Sequence, residues 1–125
     1  MRVVSVGVDI VETARIARAV SRMKFRERVF TPGEREQLAA KGPQSWAGRF
    51  AAKEAVMKAL GTGWSGGVGF DQIEVTALET GQPVVQLSGR ALEVSRSMGV
   101  KHVLVSISHS SDFAVAFAVA VGEEM

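Results

Sequence analysis

An α+β fold with largely antiparallel strands is predicted by three features of this sequence. Several short segments alternate apolar and polar residues at period two, others repeat apolar residues at helical spacing, and the two kinds succeed one another without a regular βαβα rhythm. The 125 residues, 46% of them hydrophobic, suffice for one core, so residues 1–125 are read as a single domain.

The first element is a strand. In Val3 to Asp9, VVSVGVD, Val4, Val6 and Val8 fall on one side and Ser5, Gly7 and Asp9 on the other, which leaves the Asp9 carboxylate at a strand end, facing away from the valines. Glu12 to about Lys24 follows as a helix with two stripes. Ile16, Val20 and Met23 form its apolar face, while Arg15, Arg18 and Arg22 recur three and four residues apart on another. TPGE, Thr31 to Glu34, is a helix start: threonine as N-cap, proline in the first turn, glutamate three residues after the cap. That helix runs toward Ala40 and is ended by Gly42 and Pro43.

WAGRFAAKEAVMKALGTG, Trp46 to Gly63, carries the longest helical pattern, with Ser45 as its expected N-cap and Gly61 as the left-handed residue that stops it. A glycine-rich loop continues to Gly69. Strands are expected around Ile73 to Leu78 and at Pro83 to Leu87, joined into a hairpin by the turn ETGQ. A helix from Ala91 to Met98, closed by Gly99, precedes two last strands, His102 to Ser108 and Phe113 to Val121, joined by HSSD.

Composition narrows the function. Without cysteine there is no disulfide framework, no cysteine-based zinc site and no thiol nucleophile, which suits a reducing cytoplasm. The apolar N-terminal stretch is interrupted at Asp9, too short for a signal sequence, and the longest apolar run, Phe113 to Val121, falls far below the roughly 20 residues that span a bilayer. A soluble protein with no membrane partner is expected. The net charge of +2 is too small to indicate nucleic acid, but Arg15, Arg18, Arg22, Lys24, Arg26 and Arg28 fall in one segment, a first clue to a partner.

The alanine-rich helix poses a question. It is apolar nearly all round and should be central, yet it carries Arg49, Lys53, Glu54 and Lys58. At about 100° per residue, Glu54 and Lys58 lie close together on one side, and Arg49 and Lys53 together on another. Buried charges without partners cost several kcal/mol each, roughly, so these groups must reach an ion, a ligand or solvent. One outcome is a Glu54–Lys58 pair worth about 0.2–0.5 kcal/mol, with Arg49 and Lys53 reaching to water. The other recruits Asp9: two carboxylates with open coordination positions suit magnesium, whose shell is completed by phosphate oxygens and water. Glycines after the helix let backbone approach a phosphate, although no GxxxxGK[ST] motif is present.

GVDIVETARI, FTPGE, GRFAAKEAVMKALGTG, FDQIEV, GQP and SISHSSDFAVA, in that order over almost the whole chain, resemble the bacterial holo-[acyl-carrier-protein] synthases, small 4′-phosphopantetheinyl transferases. The resemblance implies their fold, an antiparallel sheet packed on a central apolar helix, and transfer of the 4′-phosphopantetheine of coenzyme A to a serine of an apo acyl carrier protein in fatty-acid and related synthesis, with magnesium required. It assigns Asp9 and Glu54 to the metal, Lys58 to the pyrophosphate, Arg49 and His109 to the adenosine 3′-phosphate, and Gly61, Thr62 and Gly63 to the loop lining the coenzyme A cleft. It also implies a homotrimer with sites at subunit junctions. Arg15 matches the arginine that meets the carrier protein, and Arg18, Arg22, Phe25 and Arg28 extend that surface. The chain departs from larger relatives in one respect: Val11 stands where they carry a second strand carboxylate, so water is expected at that coordination place. The proton of the serine is expected to go to Glu54 or, by preference, to a water held at the metal.

Two other readings compete. A magnesium-dependent nuclease could use a carboxylate and lysine constellation, but Glu54 and Lys58 are four apart on a helix rather than in E-x-K on a strand. A nucleic-acid module could use the basic helix, but aromatic residues are only 6% and no stacking platform or zinc pattern is present.

Overall fold

Strand β5 (Phe113–Gly122) decides the architecture because its two faces are sorted by size. Ala114, Ala116, Ala118 and Ala120 are buried, while Phe113, Val115 and Phe117 are exposed. The alanine face lets a helix lie close, and the helix that does so is α4 (Pro43–Leu60). The computed structural model describes residues 1–61 and 66–124, so Thr62 and Gly63, expected in the coenzyme A cleft, lie outside the described residues.

Around this pair the chain runs β1 (Arg2–Glu12), α1 (Thr13–Val20), α2 (Met23–Val29), α3 (Pro32–Leu38), α4, a single 3-10 turn at Phe70–Gln72, β2 (Ile73–Ala77), β3 (Pro83–Leu87), α5 (Gly89–Ser97), β4 (His102–His109) and β5. All pairing is antiparallel: one sheet has the order β1-β5-β4, and β2 with β3 forms a separate hairpin. The arrangement is the α+β fold expected.

Strand β1 crosses α4 at Gly7. A Cβ built there would sit 2.1 Å from the Ala55 carbonyl oxygen and 2.8 Å from the Ala59 nitrogen, so only glycine permits the approach. Ser5 Oγ reinforces it by donating to Ala59 O at 2.6 Å. Ser5, Gly7, Asp9 and Val11 therefore face the helix. The valine side faces away, with Val6 54%, Val8 50% and Ile10 64% exposed, continued across the sheet by Phe117 at 45% and Leu104 at 55%.

Three boundaries differ from expectation. The first helix ends at Val20 rather than Lys24, because Arg22 is extended (φ −98°, ψ 123°) and Arg26 Nε donates to the Val20 carbonyl. The Arg26 guanidinium also lies over the Trp46 ring. Helix α4 starts at Pro43 with Gly42 before it, not at Ser45, since proline is tolerated in a first turn where its missing N–H is not needed. Asp9 lies inside β1, three residues before its end. The capping box formed as expected, Thr31 Oγ1 accepting from Glu34 N–H and Glu34 Oε1 from Thr31 N–H. Gly61 closes α4 at φ 73°.

Candidate active site

Helix α4 sends its four charges to two different places. Glu54 and Lys58 point toward β1, where Lys58 Nζ donates to Asp9 Oδ1 and to the Val8 carbonyl, both at 3.0 Å. Among the described residues the ion pair of Lys58 is thus with Asp9 and not with Glu54. Glu54 is half-buried, and its carboxyl is held above the usual carboxylate range, first by burial and then by the negative charge of Asp9, with Lys58 and Arg15 pulling the other way. Four groups from β1, α1 and α4 are therefore close enough to sense one another: Asp9, Arg15, Glu54 and Lys58.

The donor set suits a hard divalent cation. Among the described residues no cluster of three or more acidic, histidine or cysteine side chains occurs, so a cation here would take two carboxylates and fill its shell with ligand oxygens and water. The proton affinity of Glu54 is raised first by burial and then by the charge of Asp9, and a cation held by the two carboxylates would offset both effects.

Arg49 and Lys53 go to the opposite side of α4, toward α3 and β2. Lys53 Nζ lies 2.6 Å from Glu34 Oε1 with both side chains fully buried. Glu34 Oε2 also accepts from Val75 N–H at 2.7 Å, so this pair ties α3, α4 and β2 together and is not a ligand site. Burial pulls the Lys53 ammonium below its ordinary range, and Glu34 opposes this. Arg49 is only partly covered. Its Nη1 donates to Val75 O at 2.7 Å, and the side chain opens on a cleft of about 270 Å³ lined also by Ser45, Gly48, Pro83, Ile107 and His109. His109, the last residue of β4, is exposed there, so Arg49 and His109 line the same cleft.

The two groupings lie apart. Asp9 belongs to β1 and His109 to β4, the two outer strands of the three-stranded sheet. Arg15, Arg18, Arg22 and Phe25 line another cleft, of about 260 Å³, between α1, α2 and Phe50. Arg22 and Phe25 continue into an adjoining one, about 300 Å³, with Lys24 and Arg28. The five residues expected on the partner surface thus form one continuous basic face, with Phe25 half-buried in its middle.

Residues 5–118 match the model of the 4′-phosphopantetheinyl transferase superfamily. The chain belongs to that superfamily. Its relatives include the holo-[acyl-carrier-protein] synthases of Maridesulfovibrio salexigens, 45% identical over 94% of this chain and 97% of the relative, and of Desulforudis audaxviator, 48% identical over 96% and 94%. Solved structures with the same fold include the Helicobacter pylori enzyme in complex with coenzyme A, at TM-score 0.82 and 36% identity over 93% of this chain and 99% of that one. The Bacillus anthracis enzyme, in complex with coenzyme A (3′,5′-ADP), superposes at 0.80 with 39% identity over 97% and 98%. Within this superfamily chain, sequence reasoning missed the Glu34–Lys53 pair and the part played by Gln37, whose partners Arg49 and Ala77 are 12 and 40 residues away. No local spacing signals such contacts.

Proposed function

We propose that the chain transfers the 4′-phosphopantetheine group of coenzyme A to a serine hydroxyl of an apo acyl carrier protein, releasing adenosine 3′,5′-bisphosphate. The observation that carries the reading is the meeting of Asp9 from β1 with Glu54 and Lys58 from α4, two residues beyond the close approach of Gly7 to that helix.

The serine oxygen forms a bond to the pantetheine-side phosphorus while the bond from that phosphorus to the bridging oxygen breaks, so negative charge grows on the departing bisphosphate and the serine proton must leave. Asp9 and Glu54 would hold magnesium, which supplies Lewis-acid neutralisation of the pyrophosphate oxygens when bound. Lys58, carried one turn beyond Glu54, places its ammonium against the leaving phosphate once the ligand draws it from Asp9. Glu54 holds the water that receives the serine proton. Arg49 and His109 grip the 3′-phosphate, and Gly61 contributes to the lining of the coenzyme A cleft.

Two features support a site shared between copies, as trimeric relatives were expected to have. The metal residues and the nucleotide residues sit at opposite edges of one sheet, and that sheet turns Val6, Val8, Ile10, Leu104 and Phe117 to solvent in the single chain. The acidic carrier protein docks on the basic face of α1 and α2, whose Arg15 also senses Glu54 and so links the docking surface to the chemistry.

Mass spectrometry of an apo carrier protein after incubation with coenzyme A, magnesium and this protein tests the reaction: one phosphopantetheine increment is expected, and an unchanged mass rejects it. Mixing Glu54→Gln chains with Arg49→Ala chains tests the shared site. Activity returns if each site draws on two copies, and stays absent if each chain holds a whole site.

A further inference from the structure

Among the described residues, strand β2 has one edge on β3 and one edge free of strands. In this antiparallel pair Val75 lies opposite Val85 and Ala77 opposite Pro83, and the peptide groups of Val75 and Ala77 turn to the free edge, where a third strand would take them. Side chains take them instead. Val75 N–H donates to Glu34 Oε2 at 2.7 Å and Val75 O accepts from Arg49 Nη1 at 2.7 Å. Ala77 N–H donates to Gln37 Oε1, and Gln37 Nε2 donates to Ala77 O, both at 2.9 Å.

The paired bonds to Ala77 settle which way the Gln37 amide is turned, because its nitrogen must meet the carbonyl and its oxygen the N–H. That oxygen then accepts a second bond, from Arg49 Nη1 at 3.1 Å. Arg49 Nη1 has two hydrogens, and both are now used, on Val75 O and on Gln37 Oε1. Nε and Nη2 have no acceptor among the described residues, and the side chain borders the cleft that holds His109. A guanidinium is planar, so fixing one end fixes where the remaining donors point.

We propose that Gln37 is a positioning residue: it holds the Arg49 guanidinium with Nε and Nη2 presented to an anionic phosphate beside His109, and so sets affinity for the nucleotide end of coenzyme A without touching it. The inference rests on the reading that Arg49 meets the 3′-phosphate. Gln37 itself is exposed and its contacts are to one backbone residue and one side chain, so its replacement leaves the core intact.

The test is steady-state transfer to an apo carrier protein with two donors, coenzyme A and 3′-dephospho-coenzyme A, using wild type, Gln37→Ala and Arg49→Ala. For Gln37→Ala, KM for coenzyme A rises about three- to ten-fold, the scale of roughly one ordinary hydrogen bond, while KM for the dephospho donor stays at the wild-type value. Loss of folded protein lowers kcat for both donors and cannot change the ratio of their KM values. An equal rise for both donors, or no rise where Arg49→Ala gives one, overturns the role of Gln37 and leaves the Arg49 reading standing. If Arg49→Ala itself fails to separate the two donors, the Arg49 reading falls and takes this inference with it.

Discussion

Lys58 Nζ donates to Asp9 Oδ1 at 3.0 Å across the contact between α4 and β1, with Glu54 one turn earlier on the same helix face. The arrangement makes Glu54 separable from the fold, since it closes no ion pair among the described residues while shaping the electrostatics of the cluster. Glu54→Gln should lower kcat/KM for transfer by more than about 100-fold, because even outer partners of a metal site are worth ~10–100-fold. Far-ultraviolet circular dichroism should be unchanged. A variant with near-normal turnover removes Glu54 from the metal role.

The same substitution should raise stability. Glu54 has a folded-state pKa above its unfolded value, so the folded chain binds the extra proton and stability falls as pH rises from the ordinary carboxylate range through the raised value. Above the raised value the cost of the ionised group is fully present, and glutamine, which mimics the protonated form, escapes it. In the absence of metal, Glu54→Gln should melt above wild type at neutral pH, with the gap closing below the ordinary carboxylate pKa. An equal gap at both pH values would mean that ionisation of Glu54 is not the source.

Gly7→Ala tests the close approach that brings Asp9 to α4. The added methyl meets backbone atoms at 2.1 and 2.8 Å, so strand and helix must part. Overpacking of this kind costs about 1–3 kcal/mol or more, read as a lower denaturant midpoint, and metal affinity by calorimetry should weaken with it. Unaltered affinity in a destabilised variant would detach the metal site from this contact.

Lys53→Met leaves Glu34 buried without its cation and should cost about 3–5 kcal/mol. Glu34→Gln added to Lys53→Met should recover part of that loss, because the buried charge is gone, while the one amide oxygen can accept from only one of the Thr31 and Val75 N–H groups. A double variant no more stable than the single one would show that the pair contributes through geometry and not through charge balance.

Rising ionic strength should raise KM for the carrier protein more than KM for coenzyme A, since exposed charges 10 Å apart are largely screened at about 0.1 M salt and clustered ligand contacts are not. Arg15→Glu should raise KM for the carrier further than Arg18→Glu, because Arg15 faces both the docking cleft and Glu54. Equal salt responses for the two substrates would place the carrier elsewhere.

What could be read from the sequence was what adjacent residues decide. Thr31 to Glu34 form their capping box from four consecutive positions, β3 runs from Pro83 to Leu87 as expected, and Gly61 and Gly99 take the positive φ that ends their helices. The alternation in β1 was visible too, but not which face turns inward. Both faces are apolar or small, and the choice is made by the alanines of α4, which accept Gly7 and would clash with a valine. The break after Val20 was hidden because Ile16, Val20 and Met23 continue a helical pattern across it, and the Arg26 bond to Val20 is invisible to periodicity. At the site, the motif placed Asp9, Glu54 and Lys58 by resemblance. That Lys53 would turn to Glu34 and Arg49 to β2 depends on where α3 and the hairpin pack, which no spacing within α4 records.

The size-sorted strand β5 carries a consequence for the working enzyme. The chain reserves its alanines for its own helix and turns phenylalanine and valine outward, where the proposed assembly of copies would cover them. On the proposed sharing of each site between two copies, dilution should act as a mutation does: exposed side chains stay wet, the residues proposed for the nucleotide and for the metal part company, and activity per mole of chain drops although every residue is intact.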